Sequence, residues 1–147
     1  MQSQLPVLLI EDDLIDVKTV QRAFKQNKII NPLQVAHNGE QALQLLRREG
    51  PDTDPTTAPR PGLILLDLNM PVMNGIEFLQ AVKSDETLKS IPVVVLTTSK
   101  DENDLIETYG FGVAGYIIKP VDFPQFLEVV KAIDLYWSLN ERAPCMA

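Results

Sequence analysis

Three short stretches of the chain are apolar at every position: Val7-Leu8-Leu9-Ile10, Leu63-Ile64-Leu65-Leu66 and Val93-Val94-Val95-Leu96. A strand with one wet face alternates apolar and polar residues, whereas unbroken apolar runs of this length suit strands covered on both faces, as in a parallel sheet. Two weaker runs, Leu33-Gln34-Val35-Ala36 and Gly115-Tyr116-Ile117-Ile118, bring the expected strands to five. Between them the apolar residues fall at helical spacing: Val17, Val20 and Phe24, then Ala42, Leu45 and Leu46, then Ile76, Leu79 and Val82. Leu105 and Tyr109 predict a fourth helix closed by Gly110 and Gly112, and Phe126, Val130, Ile133 and Trp137 predict a fifth and longest one. Strands alternating with helices imply right-handed crossovers and hence a three-layer α/β domain. Asn38 ahead of Gln41 and Asp122 ahead of Gln125 read as helix starts. Leu135, Tyr136 and Leu139 give the last helix a second apolar surface, which reads as a partner surface or as a helix end folded over its own core.

A length of 147 residues suits one domain, which sets the frame for the charge. Thirteen Lys and Arg against twenty Asp and Glu leave a net charge of -7, so the basic field that attracts nucleic acid is missing, and no direct nucleic-acid partner is expected. Cys145 is the one cysteine, which excludes an internal disulfide and a cysteine zinc cage and fits a reducing compartment, the cytoplasm by default. No apolar run is long enough to cross a membrane and the first residues lack the features of an export signal, so no membrane partner is expected. The proline-bearing stretch from Glu49 to Gly62 reads as a solvated loop between the second helix and the third strand.

The chemistry lies where polar residues follow the apolar runs. Glu11-Asp12-Asp13 follows the first strand, Asp67 ends the third with Asn69 two residues on, Thr97-Thr98-Ser99 ends the fourth, and Lys119-Pro120 ends the fifth. In an open parallel sheet these carboxyl ends form one rim, where ligands bind at the reversal of strand order. If strands one and three are neighbours, Glu11, Asp12 and Asp67 crowd together, and their mutual repulsion is relieved by a cation. All-oxygen ligands favour Mg2+ over zinc or copper. With Lys119 as a second positive charge and Thr97 as a neutral donor, the rim makes a receptacle for a phosphoryl group. A lone acid after a strand reads more readily as a cap or turn residue, whereas Asp67 within Leu65-Leu66-Asp67-Leu68-Asn69 is harder to dismiss because a buried carboxylate needs a partner; the four ends together carry the reading. His37, the single histidine, reads as an exposed residue near the end of strand two rather than as a phosphoryl donor.

The motifs Leu9-Ile10-Glu11-Asp12-Asp13, Leu65-Leu66-Asp67-Leu68-Asn69-Met70-Pro71 with Asn74-Gly75 behind, Val95-Leu96-Thr97-Thr98-Ser99 and Tyr116-Ile117-Ile118-Lys119-Pro120 resemble those of the receiver domain of two-component response regulators. Ala58-Pro59-Arg60-Pro61, Lys119-Pro120-Val121-Asp122-Phe123 and Tyr136-Trp137 are similar to the single-domain regulators that serve bacterial phytochrome kinases. The resemblance implies a flavodoxin-like, doubly wound five-stranded parallel sheet of order 2-1-3-4-5 flanked by five helices. It implies a receiver domain over residues 5–140 and a short tail over 141–147. It further implies Asp67 as the phosphoacceptor and Asp12, Glu11, Asp67 and the main-chain carbonyl of Asn69 as ligands of Mg2+, with the family's acidic pair falling on Glu11 and Asp12 and Asp13 standing as a third acid beside them. Lys119 would pair with Asp67 and then with the phosphate, Thr97 and Tyr116 would form the switch, and the Lys119-Pro120 bond would be cis. The donor would be a sensor histidine kinase, phytochrome-type by the subgroup resemblance. The surplus apolar surface of the last helix implies a homodimer, and the protein would not be an enzyme beyond promoting its own phosphotransfer and dephosphorylation.

Two other classes remain at this point. A magnesium phosphatase working through an aspartyl phosphate would want a second acid two residues after its nucleophile, where this chain has Asn69. A docking module independent of phosphorylation would have the fold without the chemistry.

Overall fold

The computed structural model describes residues 5–47, 60–98 and 100–146, with the backbone alone for residue 102 and residues 137–146. Five strands alternate with five helices: β1 (Val7–Ile10), α1 (Leu14–Gln26), β2 (Leu33–Ala36), α2 (Gly39–Leu46), β3 (Leu63–Leu66), α3 (Gly75–Lys83), β4 (Val93–Thr97), α4 (Glu102–Gly110), β5 (Gly115–Ile118) and α5 (Phe123–Met146). The strands form one parallel sheet of order β2-β1-β3-β4-β5, the doubly wound arrangement expected.

The unbroken apolar runs are explained by their alternation across two cores. Leu8, Ile10, Ile64, Leu66, Val93 and Val95 face α2 and α3, where they meet Leu43, Leu46, Phe78 and Val82. Val7, Leu9, Leu63, Leu65, Val94 and Leu96 face α1 and α5, where they meet Val20, Phe24, Val130 and Ile133. The central strands β1, β3 and β4 are buried throughout, while the edge strands β2 and β5 are mostly half-buried, which is why their sequences read more weakly.

Register sets the rim. Ile10 is paired with both Ala36 and Leu66, so β1, β2 and β3 end level. The residues that follow Ile10 and Leu66 therefore emerge side by side.

The helix ends follow local chemistry. Asn38 caps α2 by accepting from the Gln41 amide at 2.8 Å, as expected, while the Gln41 side chain accepts from the His37 amide rather than closing a box on Asn38. A complete capping box stands at the start of α3, with Asn74 and Glu77 each accepting from the other's amide, at 2.9 and 3.0 Å. The first turns of α5 are fastened to α1: the Arg22 guanidinium lies 4.1 Å over the Phe123 ring, and Asn27 Nδ2 donates to the Leu127 carbonyl at 3.0 Å.

Two expectations are corrected. In α4 the anchoring side chain is the buried Thr108, whose hydroxyl bonds back to the Leu105 carbonyl; Tyr109 is exposed instead. The Lys119-Pro120 bond is trans, as are all the peptide bonds described. Helix α5 runs to Met146. The buried stripe Phe126, Val130 and Ile133 is as expected; the side chains of Trp137, Leu139 and Cys145, and most of the 49–62 loop, lie outside the described residues.

Candidate functional site

Two carboxylates are buried at the carboxyl end of the sheet, where an ionised group needs compensation. Glu11 is 2% exposed and Asp67 7%. Asp12, one residue beyond, is exposed, yet one oxygen from each of the three lies within 4.8 Å of the others. Thr97, fully buried at the end of β4, donates its hydroxyl to Asp67 Oδ1 at 2.8 Å. Lys119, after β5, reaches across and places its ammonium 2.6 Å from Glu11 Oε1 and 3.1 Å from Asp16 Oδ2.

The backbone beneath Asp67 is tightly held. Its amide donates to the Ile10 carbonyl, and the Gly75 amide donates to the Leu68 carbonyl. A Cβ on Gly75 would stand 2.7 Å from Leu68 Cα and 2.9 Å from the Asp67 carbonyl oxygen, so the start of α3 approaches as closely as only glycine permits.

Burial drives the Glu11 carboxyl upward from its ordinary 4.5 to about 7, and the charge of Asp67 adds to this, against the lowering effect of Lys119. For Lys119, burial pulls downward, but the hydrogen bond to Glu11 and the charges of Glu11, Asp67 and Asp16 prevail, and its pKa lies above the usual 10.5. One ammonium is therefore shared among more carboxylates than it can neutralise.

The expected pairing of Lys119 with Asp67 takes a different form here. Lys119 bonds to Glu11 and Asp16, and Asp67 acts on it through space. The physical reason is burial: Glu11 is the least exposed of the acids and gains most from a direct cation. Asp13 is the N-cap of α1, accepting from the Ile15 amide at 2.8 Å and more weakly from that of Asp16, so its carboxylate serves the helix rather than the cluster. Asn69 is exposed beside Asp67, and Tyr116 is partly buried against the α2–α3 core. His37 is exposed, as expected, and Ser99 lies outside the described residues. Asp16 was not legible as a site residue, because it sits in the first turn of a helix rather than at a strand end.

The donor set fits a divalent cation. Three carboxylate oxygens converge, two of them on buried residues, and burial, with a smaller contribution from the charge of Asp67, raises the Glu11 pKa, a cost that a cation among them would relieve. Oxygen ligands alone suit a hard ion. An apolar cavity of about 190 Å³, lined by Phe24, Ile29, Leu63, Val130 and Ile133 among others, opens at the opposite end of the strands and shares no residue with this cluster.

Residues 7–131 match the family described as response regulator receiver domain. The chain is 38% identical over 131 residues to the response regulator Rcp1 of Synechocystis, covering 89% of this chain and 87% of Rcp1. The fold superimposes with a TM-score of 0.83 on the phosphorylated cyanobacterial phytochrome response regulator RcpA, 38% identical, covering 92% of this chain and 94% of that one. It superimposes with a TM-score of 0.80 on the Mn(2+)-bound form of Rcp1, also 38% identical, covering 90% and 94%. Among the described residues no helix is long and apolar enough to cross a membrane. The chain belongs to the response regulator receiver domain family, whose members are phosphoacceptor proteins of two-component signalling rather than classical enzymes.

Proposed function

We propose that this protein is a cytoplasmic response regulator in which Asp67 accepts a phosphoryl group from a sensor histidine kinase, of phytochrome type, within a receiver unit spanning residues 5–140. The observation that carries the reading is the setting of Asp67: buried, bonded by the Thr97 hydroxyl and crowded by Glu11 and Asp12. The likeness to the cyanobacterial phytochrome response regulator RcpA supports the kinase type.

In this reading a carboxylate oxygen of Asp67 attacks the phosphorus of a phosphohistidine; the new O–P bond forms as the N–P bond breaks, and the electron pair leaves on the imidazole nitrogen. Glu11, Asp12, Asp67 and the Asn69 main-chain carbonyl would hold Mg2+, which supplies positive charge to the phosphoryl oxygens. The Thr97 hydroxyl, now on Asp67, transfers its hydrogen bond to a phosphoryl oxygen. Tyr116 follows into the space Thr97 leaves, and Lys119 moves its ammonium toward the new charge. The phosphoryl group adds roughly -1.5 to -2 charge at the rim, which biases α4, β5 and α5 between two arrangements.

Homodimerisation through that surface completes the reading. Ile106 and Tyr109 on α4, Ile118 on β5, and Leu135 and Tyr136 on α5 are large, apolar and exposed, a pattern that supports a protein partner. Sedimentation should show a dimer, and a monomer both with and without phosphorylation would refute it.

Intact mass after treatment with acetyl phosphate and Mg2+ tests the acceptor. The parent should gain one phosphoryl group and Asp67→Asn none; equal gain in both refutes the assignment.

A further inference from the structure

Lys119 divides its ammonium between two carboxylates of different standing. Glu11 belongs to the cluster able to hold a cation, and Asp16 does not. Asp16 is carried on the first turn of α1, which Asp13 fixes by capping, and its side chain is 40% exposed against 2% for Glu11. When Glu11 turns its charge to a cation, its hold on Lys119 weakens, and Asp16 is the carboxylate that still holds the ammonium.

We propose that Asp16 is a positioning residue, a tether that keeps Lys119 on the α1 side of the rim and that a phosphoryl group on Asp67 must displace. The proposal rests on Asp67 being the phosphoacceptor. An ammonium carries three donors, and in this arrangement two are committed, to Glu11 and to Asp16. Charge on a phosphoryl group competes for the same ammonium. Asp16 therefore sets how readily Lys119 leaves its resting place, with no contact of its own to the phosphoryl group. The pair is partly exposed, so the effect is modest, on the order of two- to fivefold in an equilibrium constant.

The test uses beryllofluoride, a phosphoryl mimic, titrated into the full chain at saturating Mg2+. Asp16→Asn should bind it about two- to fivefold more tightly than the parent, while Asp16→Glu, which restores the charge, should return toward the parent. The advantage of Asp16→Asn should shrink as salt is raised. In the chain without added cation, the Lys119 ammonium protons, followed by nitrogen-15 NMR, should exchange with water faster in Asp16→Asn than in the parent. A merely structural role for Asp16 would lower the unfolding midpoint and weaken beryllofluoride binding. A parent that binds beryllofluoride with Asp16→Asn no tighter overturns the tether alone. A parent that binds none overturns the phosphoacceptor reading and the tether with it.

Discussion

The centre of the sheet and its β5 edge are built from similar residues toward opposite ends. At the centre, β1, β3 and β4 are buried along their whole length and carry Glu11, Asp67 and Thr97 at their carboxyl ends, with Leu66 paired to both Ile10 and Val95. At the edge, β5 is only half-buried and ends in an exposed Ile118, while α4 beside it displays Ile106 and Tyr109 to solvent. Apolar residues at the centre generate stability and fix the position of the carboxylates. The same residue types at the edge add little stability and leave a surface free to repack. A receiver needs both: a rigid place to take charge and a loosely held place to report it.

Substitutions can separate these roles. The largest effect should come from Phe78→Ala, which opens a cavity in a fully buried site between α3 and the centre of the sheet; a loss of about 3 to 5 kcal/mol is expected in urea unfolding. Next comes pH. Because the folded chain raises the Glu11 pKa to about 7 from 4.5, it binds that proton more tightly than the unfolded chain does. The resulting stability is fully present below about 4.5 and is lost as pH rises to about 7, a change of at most about 3 kcal/mol. Only an ionised Glu11 could take part in holding a cation, so stabilisation by Mg2+ should grow across the same window. Unfolding midpoints at about pH 5 and about pH 8, with and without Mg2+, check both signs. Gly75→Ala should cost about 1 to 3 kcal/mol and reduce phosphoryl uptake together with stability, since the added carbon meets backbone under Asp67.

Smaller effects belong to the rim and the edge. Val72, between Asp67 and α3, has φ +68, a region where a β-branched residue is strained. Val72→Asn should stabilise the protein by about 0.5 to 1 kcal/mol, read as a rise in thermal midpoint. Tyr109→Ala should change unfolding free energy by less than about 0.5 kcal/mol while weakening self-association measured by sedimentation. A large stability loss for Tyr109→Ala would erase the distinction between centre and edge.

Legibility in the sequence followed the same division. The central strands stood out because every position is buried, whereas Gln34 in β2 and Tyr116 in β5 interrupt their runs at half-buried edges. The stripe proposed for α4 was misplaced because Tyr109 is apolar enough to suggest burial, while Thr108 hides its hydroxyl in a bond to its own helix. Glu11, Asp12, Asp67, Thr97 and Lys119 were legible because a parallel sheet gathers strand ends. Asp13 and Asp16 were not distinguishable by type: both are acids near the same rim, and only geometry makes one a helix cap and the other a partner of Lys119.

The fastening of α5 to α1 has a mechanical consequence. Arg22 on Phe123 and Asn27 on Leu127 pin the first turns of a long rod, and Tyr136 lies thirteen residues past Phe123, roughly 20 Å along the axis at the rise of an α-helix. Because Phe126, Val130 and Ile133 also seat it on the core, the rod and its bed shift together, and a tilt of about 5° displaces the outer surface by nearly 2 Å over that length. Small rearrangements at the rim are thereby magnified at the far end, and loosening the clamp would let the same push dissipate as sliding.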